Sequence, residues 1–420
     1  MKSAICVTAY EHRTISIGYQ GLTREHLDAL EQLRSREGAS WFTLVHRGLR
    51  LTEHVGIVQV NGLTLEILPK LDDPERTSGA DGETARWRNV LLQMLRYVFD
   101  LPIAVPDVAT LSTRPQAMLD LFIQAFVQEA EALLRAGLIK TYHPTEGNRT
   151  ALKGRLLFQQ QLIHNLVRRE RFFTRQQVYD QAHPFNSLLR QALQVAAIVA
   201  QGAQLAARAR TVLLHWPELP NVPVPTDFPV LTRKTERYHK ALQLALLLLK
   251  AQSPNLQGGT THAVALLFDM NVLFEAFVAR QLQRAANEKG SWVQIQNQRT
   301  FWSGVRIRPD LVVRLTQVDK TEAIFILDTK WKVPNNKRPA AADLQQLYAY
   351  CHLWKAGHGV LLYPSASSDQ YEHGKPYSAS LWAPDVQVTG NTLFANILDS
   401  QGSLNKQLGK GIIGYLQELA

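Results

Sequence analysis

The stretch RIRPDLVVRLTQVDKTEAIFILDTKWK (306–332) decides how the chain is read. Two β-rich runs flank the polar residues TQVDKTE, so the segment reads as a hairpin. If the turn centres on Asp319, Asp310 lies nine residues before it and Asp328 nine after. Residues opposed in an antiparallel pair point to one face with Cβ atoms about 5 Å apart. Lys330, two residues beyond Asp328, shares that face by the period-2 alternation of a strand. Ile324, Ile326 and Asp328 lie on one side of the second strand and Phe325, Leu327 and Trp331 on the other. A strand apolar on both faces is a buried, central strand. Two carboxylates at its end repel unless a positive group sits between them. Mg²⁺, which takes one or two carboxylates and completes its shell with water and phosphate oxygens, suits Asp310 and Asp328.

Working outward, residues 261–420 read as an α/β unit: helix (262–286), strands (292–299, 304–316 and 323–332), helix (341–356) and strand (358–363). Before it, residues 86–260 read as a mainly helical region, with candidate helices at 86–99, 115–136, 155–167, 184–209 and 234–252. Residues 1–85 read as a β-rich N-terminal module. Its candidate strands are Thr14–Tyr19, Trp41–His46, Leu49–Leu51, Val55–Val60 and Leu63–Leu68, with a helix over 22–36. Asn61-Gly62 between two apolar runs signals a hairpin. Polar loops are expected near 71–85 and at 253–260. The fold class expected is mixed α/β.

Composition bounds the rest. The 420 residues hold 45% apolar and 20% charged residues with ordinary Gly and Pro, which excludes disordered and fibrous classes. The net charge of +10 fits an anionic partner such as nucleic acid, and equally a merely basic surface. Two cysteines, Cys6 and Cys351, argue against a disulfide framework or cysteine zinc site and fit a reducing cytoplasm. The apolar run Ala241–Leu249 is far short of a membrane span, so no membrane association is expected. The thirteen histidines show no HExxH spacing, and no GxxxxGK[ST] loop occurs, so the chain alone should not hydrolyse nucleotide.

Pro309-Asp310 followed by Asp328-x-Lys330 resembles the PD-(D/E)xK nuclease motif, a pattern common by chance when taken alone. Six segments in order extend the match: LKGRLLFQQQLIHNLVRRERFF (152–173), LLFDMNVLFEAFVA (266–279), RIRPDLVV (306–313), ILDTKWK (326–332), DLQQLYAYCHLW (343–354) and VLLYP (360–364). Together they resemble the McrC family, the nuclease subunits of the McrBC modification-dependent restriction systems. The resemblance covers roughly 150–365 and implies a PD-(D/E)xK endonuclease-like C-terminal domain acting on DNA. Asp310 and Asp328 would coordinate one or two Mg²⁺ ions. Lys330 would orient or activate the attacking water and offset charge on the scissile phosphate, giving 5′-phosphate and 3′-hydroxyl ends. It further implies a separate AAA+ partner, McrB, whose GTP-driven hexamers bind the nucleotide, with residues 1 to about 150 as the docking part. The rival readings are a non-catalytic adaptor that stimulates the NTPase, and a stand-alone repair nuclease.

Lesser candidates have plainer alternatives. Glu275, on a mostly apolar helix face, supports the metal or its water by the resemblance, or is satisfied by Arg280 or Arg308. Gln346 and Tyr350, four residues apart, share a helix face; the resemblance implies that they lie near the DNA or the site, and the alternative is that they edge an ordinary packing helix. Arg168, Arg169 and Arg171 belong to the densest basic stretch, with Arg149, Lys153, Arg155 and Arg175. They grip a DNA backbone, face a partner subunit, or coat a solvated helix. Asp269 is expected to cap or pair locally.

Overall fold

The computed structural model describes residues 5–37, 41–71, 81–101, 117–251, 263–289, 292–316, 322–334, 338–365, 370–377 and 388–420. The chain forms two compact units, one of Met1–Met118 with Leu267–Ala420 and one of Leu119–Leu266.

The N-terminal part of the first unit runs β1 (Ile5–Tyr10), β2 (Thr14–Ser16), α1 (Arg24–Glu37), β3 (Phe42–Val45), β4 (Gly48–Leu51), β5 (His54–Val60), β6 (Leu63–Leu68) and α2 (Asp81–Phe99). The Asn61-Gly62 hairpin forms as expected. Both residues take positive φ, 48° and 79°, and Val60 pairs with Leu63. β1 adds parallel to β6, an element the sequence reading did not give. The chain leaves β2 early because Gly18 and Gln20 adopt positive φ, so the strand expected to reach Tyr19 stops at Ser16. Of the loop expected over 71–85, residues 81–85 belong to a helix that starts at Asp81, and residues 72–80 lie outside the described residues. Glu66 of the all-buried β6 is held by Arg88 of α2 through two 2.6 Å hydrogen bonds and by the Thr8 hydroxyl at 3.0 Å. A buried carboxylate persists only when paired in this way.

The second unit contains α3 (Ala117–Ala136) from Leu119 onward, β7 (Thr141–Arg149), β8 (Arg155–Leu156), α4 (Phe158–Asn165), β9 (Phe172–Asp180), α5 (Pro184–Val199), α6 (Ala203–His215) and α7 (His239–Lys250). Two features depart from the mainly helical expectation. A three-stranded sheet of order β7-β9-β8 is present. β7 carries Pro144 and Gly147 and buries no residue fully, so it offers no apolar alternation to read. The helix expected over 184–209 is two helices, broken at Ala200–Gly202, where Asp120 accepts the Gln201 N–H at 3.1 Å.

The C-terminal part begins with β10 (Val264–Asp269), in which the unit boundary falls, and continues α8 (Met270–Lys289), β11 (Trp292–Ile295), β12 (Arg299–Trp302), β13 (Val305–Ile307), β14 (Leu311–Thr316), β15 (Glu322–Thr329), α9 (Ala341–Trp354), β16 (His358–Ser365), β17 (Gln370–Pro376), β18 (Thr389–Asn396) and α10 (Leu408–Leu419). The helix expected from 262 therefore starts at Met270. The apolar run before it is a strand, and Asp269 caps the helix by accepting the Asn271 N–H at 2.7 Å. The strand expected over 304–316 is split at Arg308–Asp310, where Pro309 has no N–H to give a ladder.

The core of this part is a six-stranded mixed sheet of order β11-β14-β15-β16-β18-β17. β15 is central, antiparallel to β14 and parallel to β16, and its last five residues are buried. α9 packs on it through Leu347, Tyr350, Cys351 and Trp354. Gly359 of β16 allows that contact, because a Cβ there would stand 2.6 Å from Leu347 Cγ and 2.8 Å from Cys351 Sγ. Both cysteines are free, and no described helix is long and apolar enough to cross a membrane.

Candidate active site

The register of β14 and β15 sets the site. Leu311 pairs with Leu327, Val312 with Ile326, and Thr316 with Glu322. One further step of the same register puts Asp310 opposite Asp328, as the spacing predicts, although the turn around Asp319 lies outside the described residues. Beyond Thr329 the backbone still follows β16, with the Lys330 N–H donating to Leu362 O at 2.9 Å. Asp328, Thr329 and Lys330 thus sit at the carboxyl end of a central strand, where open α/β sheets commonly bind ligands.

Asp310 is fixed from the neighbouring strand. Its Oδ2 accepts the Thr329 backbone N–H at 2.7 Å and the Thr329 hydroxyl at 2.8 Å. Asp328 is only 2% exposed. Burial, and secondarily the negative charge of Asp310, push its carboxyl up to about 6, while Lys330 opposes the shift. The Lys330 ammonium stands 2.8 Å from Asp328 Oδ2, yet that oxygen receives no well-directed hydrogen bond. The two groups form a close ion pair whose poor alignment leaves a buried carboxylate oxygen with lone pairs to offer. Burial pulls the Lys330 ammonium down, but Asp328 and Asp310 outweigh it and hold it protonated.

Around this centre the structure gathers three further predicted residues. Glu275 of α8 accepts from Gln296 Nε2 at 2.9 Å. Its carboxyl is raised, chiefly by burial and also by Asp310, with Gln296, Arg308 and Lys330 opposing. Arg308 reaches Gln296 Oε1 at 3.2 Å, so it supports Glu275 through the amide, whereas Arg280 donates to Tyr97 O at 2.9 Å instead. Gln346 lies 3.5 Å from the Lys330 ammonium and donates to the Tyr350 hydroxyl at 2.7 Å. The Tyr350 phenol is raised by burial first, then by Asp328 and Asp310. Arg168, Arg169 and Arg171 are not part of this cluster; they are exposed residues of the second unit, between α4 and β9.

Sequence reasoning missed four supporting side chains. Thr329 ties the two strand ends together. Asp343 takes Lys332 at 2.6 Å. Gln296 joins Glu275 to Arg308. Glu11, from the N-terminal part, accepts the Trp331 indole N–H at 2.8 Å and the Lys70 N–H at 3.1 Å. Only Thr329 carried a usable signal, as the middle residue of Asp-x-Lys.

The donor set fits a hard divalent cation. Asp328 Oδ2 lacks a directed donor, Asp310 keeps Oδ1 outside the Thr329 bonds, and both are oxygen ligands of the type Mg²⁺ prefers. No group of three or more His, Cys, Asp or Glu able to hold a metal occurs among the described residues. Such an ion would rest on two carboxylates and complete its shell with water or substrate.

Fold and site together define a mixed α/β protein with an acid–lysine cluster at the end of a central strand. Residues 49–364 match the family model of the McrBC 5-methylcytosine restriction system component, and the chain belongs to that family. No curated protein matches the chain. Among solved structures it is similar to a chain of a half-complex from the tetradecameric assembly of Thermococcus gammatolerans McrB AAA+ hexamers with bound McrC. That match has 19% identity, a TM-score of 0.64, and covers 99% of this chain and 100% of that one. A chain of the McrBC complex of the same organism matches with 20% identity and a TM-score of 0.47, over 67% of this chain and 88% of that one.

Proposed function

We propose that the chain is the Mg²⁺-dependent DNA endonuclease subunit of a McrBC-like restriction complex, driven by an AAA+ NTPase partner. The observation that carries this reading is the juxtaposition at one strand end of Asp310, Asp328 with its undirected buried oxygen, and the Lys330 ammonium at 2.8 Å. Asp310 and Asp328 would hold the ion. Once bound, Mg²⁺ would polarise a phosphoryl oxygen and acidify a coordinated water. Lys330 stays protonated beside two carboxylates, so it acts as a cation, aiming an N–H at the scissile phosphate or orienting the water, and not as a free-amine base. Glu275, with Gln296 and Arg308 behind it, would accept a hydrogen bond from a water at the site's edge. Gln346 and Tyr350 would hold Lys330 and the substrate in register.

The partner half of the proposal rests on family membership and on the similar chain being one bound to McrB AAA+ hexamers. The sequence carries no phosphate loop of its own. A non-catalytic adaptor is the alternative, and keeping Asp310, Asp328 and Lys330 together weighs against it. Incubating the purified chain with its partner, nucleotide and Mg²⁺ on methylated plasmid tests both. Asp328→Ala is expected to cut at least about a hundredfold more slowly while still stimulating the partner's NTPase. Cutting at the wild-type rate removes the catalytic assignment, and an unchanged NTPase rate in the presence of the wild-type chain removes the coupling.

A further inference from the structure

α8 carries more than Glu275. Stepping 100° per residue from Glu275 brings Arg284 to the opposite side of the helix, with Arg280 two-fifths of a turn away from Glu275's face. On that far side, between α8, α2 and the turn preceding α10, lies a cleft of about 690 Å³. Arg96, Arg280, Arg284 and Lys406 line it against one carboxylate, Asp100, and three carboxamide side chains complete its polar wall. None of the four cations is paired with a carboxylate among the described residues.

The heads are oriented in advance. Arg280 Nη1 donates to Tyr97 O at 2.9 Å, and the Arg284 guanidinium rests 5.8 Å from the centre of the Tyr97 ring. Tyr97 is itself fixed edge-on against Phe277 at 5.5 Å. Concentrating like charges in one concavity opposes folding unless an anion neutralises them. The size is that of a ligand site. Guanidinium forks match the oxygens of phosphate, and several cations call for several anionic groups in a row.

We infer that this cleft binds a chain of phosphate groups, at a site distinct from the acid–lysine cluster. The inference stands whether or not the chain cuts DNA, because it uses none of Asp310, Asp328 or Lys330. The phosphates have two sources, a nucleic-acid backbone or a small polyphosphate such as a nucleoside triphosphate. Both are tested on the full chain in EDTA, which leaves no divalent ion at the other site to attract phosphate. Inorganic tripolyphosphate is titrated by calorimetry, and a labelled DNA duplex by anisotropy over a range of salt.

R280A/R284A is expected to weaken tripolyphosphate about tenfold or more, with R280K/R284K retaining part of the affinity. Lys406→Gln, at an exposed position, gives the same direction should the double variant not fold. If duplex affinity falls in parallel and its salt slope drops by about 2, the source is a nucleic-acid backbone. If the duplex is unaffected, the source is a small polyphosphate. Failure of tripolyphosphate to bind the wild-type chain, or equal binding by folded variants, overturns the inference.

Discussion

Glu11 shows how one buried side chain couples the N-terminal part of the first unit to the strand end that bears Lys330. Its Oε1 accepts from Trp331 and from the Lys70 backbone, while Oε2 is buried with no hydrogen-bond partner. Burial, with smaller contributions from Glu53 and Asp269, pushes its carboxyl from 4.5 to about 8, against the bonds from Trp331 and Lys70. A raised folded-state value means that the native chain keeps a proton which the unfolded chain releases. The stability tied to that proton is complete below about 4.5 and is lost as pH rises to about 8. The steepest slope is about 1.4 kcal/mol per pH unit. Glu11→Gln keeps the acceptor for Trp331 and Lys70 and removes the titration. The variant should therefore melt higher than wild type at alkaline pH and show a flatter profile between pH 5 and about 8. Superimposable melting curves for the two chains across that range would show that Glu11 does not titrate there.

At the scale of elements, the site depends on α9 lying flat against the sheet, because that helix supplies Gln346 and Tyr350. Gly359 sets the approach: an added methyl meets Leu347 Cγ at 2.6 Å, and Leu347 is fully buried. Gly359→Ala should cost about 1–3 kcal/mol by overpacking. It should also slow cleavage by shifting Gln346 away from Lys330, whereas a melting temperature within error of wild type would show that the helix relaxes freely. The same elements mark what the sequence made legible. The β14–β15 register could be read because period-2 patterning on a doubly buried strand admits one pairing, and a slip by one residue would put Asp328 on the wrong face. The Asn61-Gly62 hairpin was legible for a similar reason. β7 and β9 were not, since neither presents a continuous apolar face. β10 was not, because a short apolar run fits helix and strand alike. Gln296 and Glu11 escaped because their roles come from tertiary neighbours 21 and 320 residues distant, which spacing does not encode.

At the scale of the molecule, chemistry and surface fall in different units. The acid–lysine cluster belongs to the unit of Met1–Met118 and Leu267–Ala420, and the densest basic stretch to Leu119–Leu266. That second stretch is more than basic. On α4 and the turn after it, Phe158, Leu162, Ile163, Leu166 and Val167 are 70%, 52%, 71%, 70% and 90% exposed. Positions 158, 162 and 166 recur every four residues, so they form one stripe, flanked by Arg168, Arg169 and Arg171. A surface that only gripped a phosphate backbone would be basic and polar. Apolar side chains beside arginines are the composition of a protein interface, where such anchors dominate binding. The stripe therefore fits a protein surface better than it fits DNA, and the proposed NTPase partner is the occupant to test, at a place beyond the residues 1 to about 150 that the resemblance implies for docking. Leu166→Asp with Val167→Asp alters only solvated side chains, so the chain should keep its melting temperature, with a change of about 0.5 kcal/mol or less. Stimulation of the partner's NTPase should fall to background and plasmid cleavage with it, while binding of the chain alone to duplex DNA stays at the wild-type level. Undiminished NTPase stimulation by the folded double variant would remove this surface from the complex, and a loss of DNA affinity instead would return the stripe and its arginines to the nucleic acid.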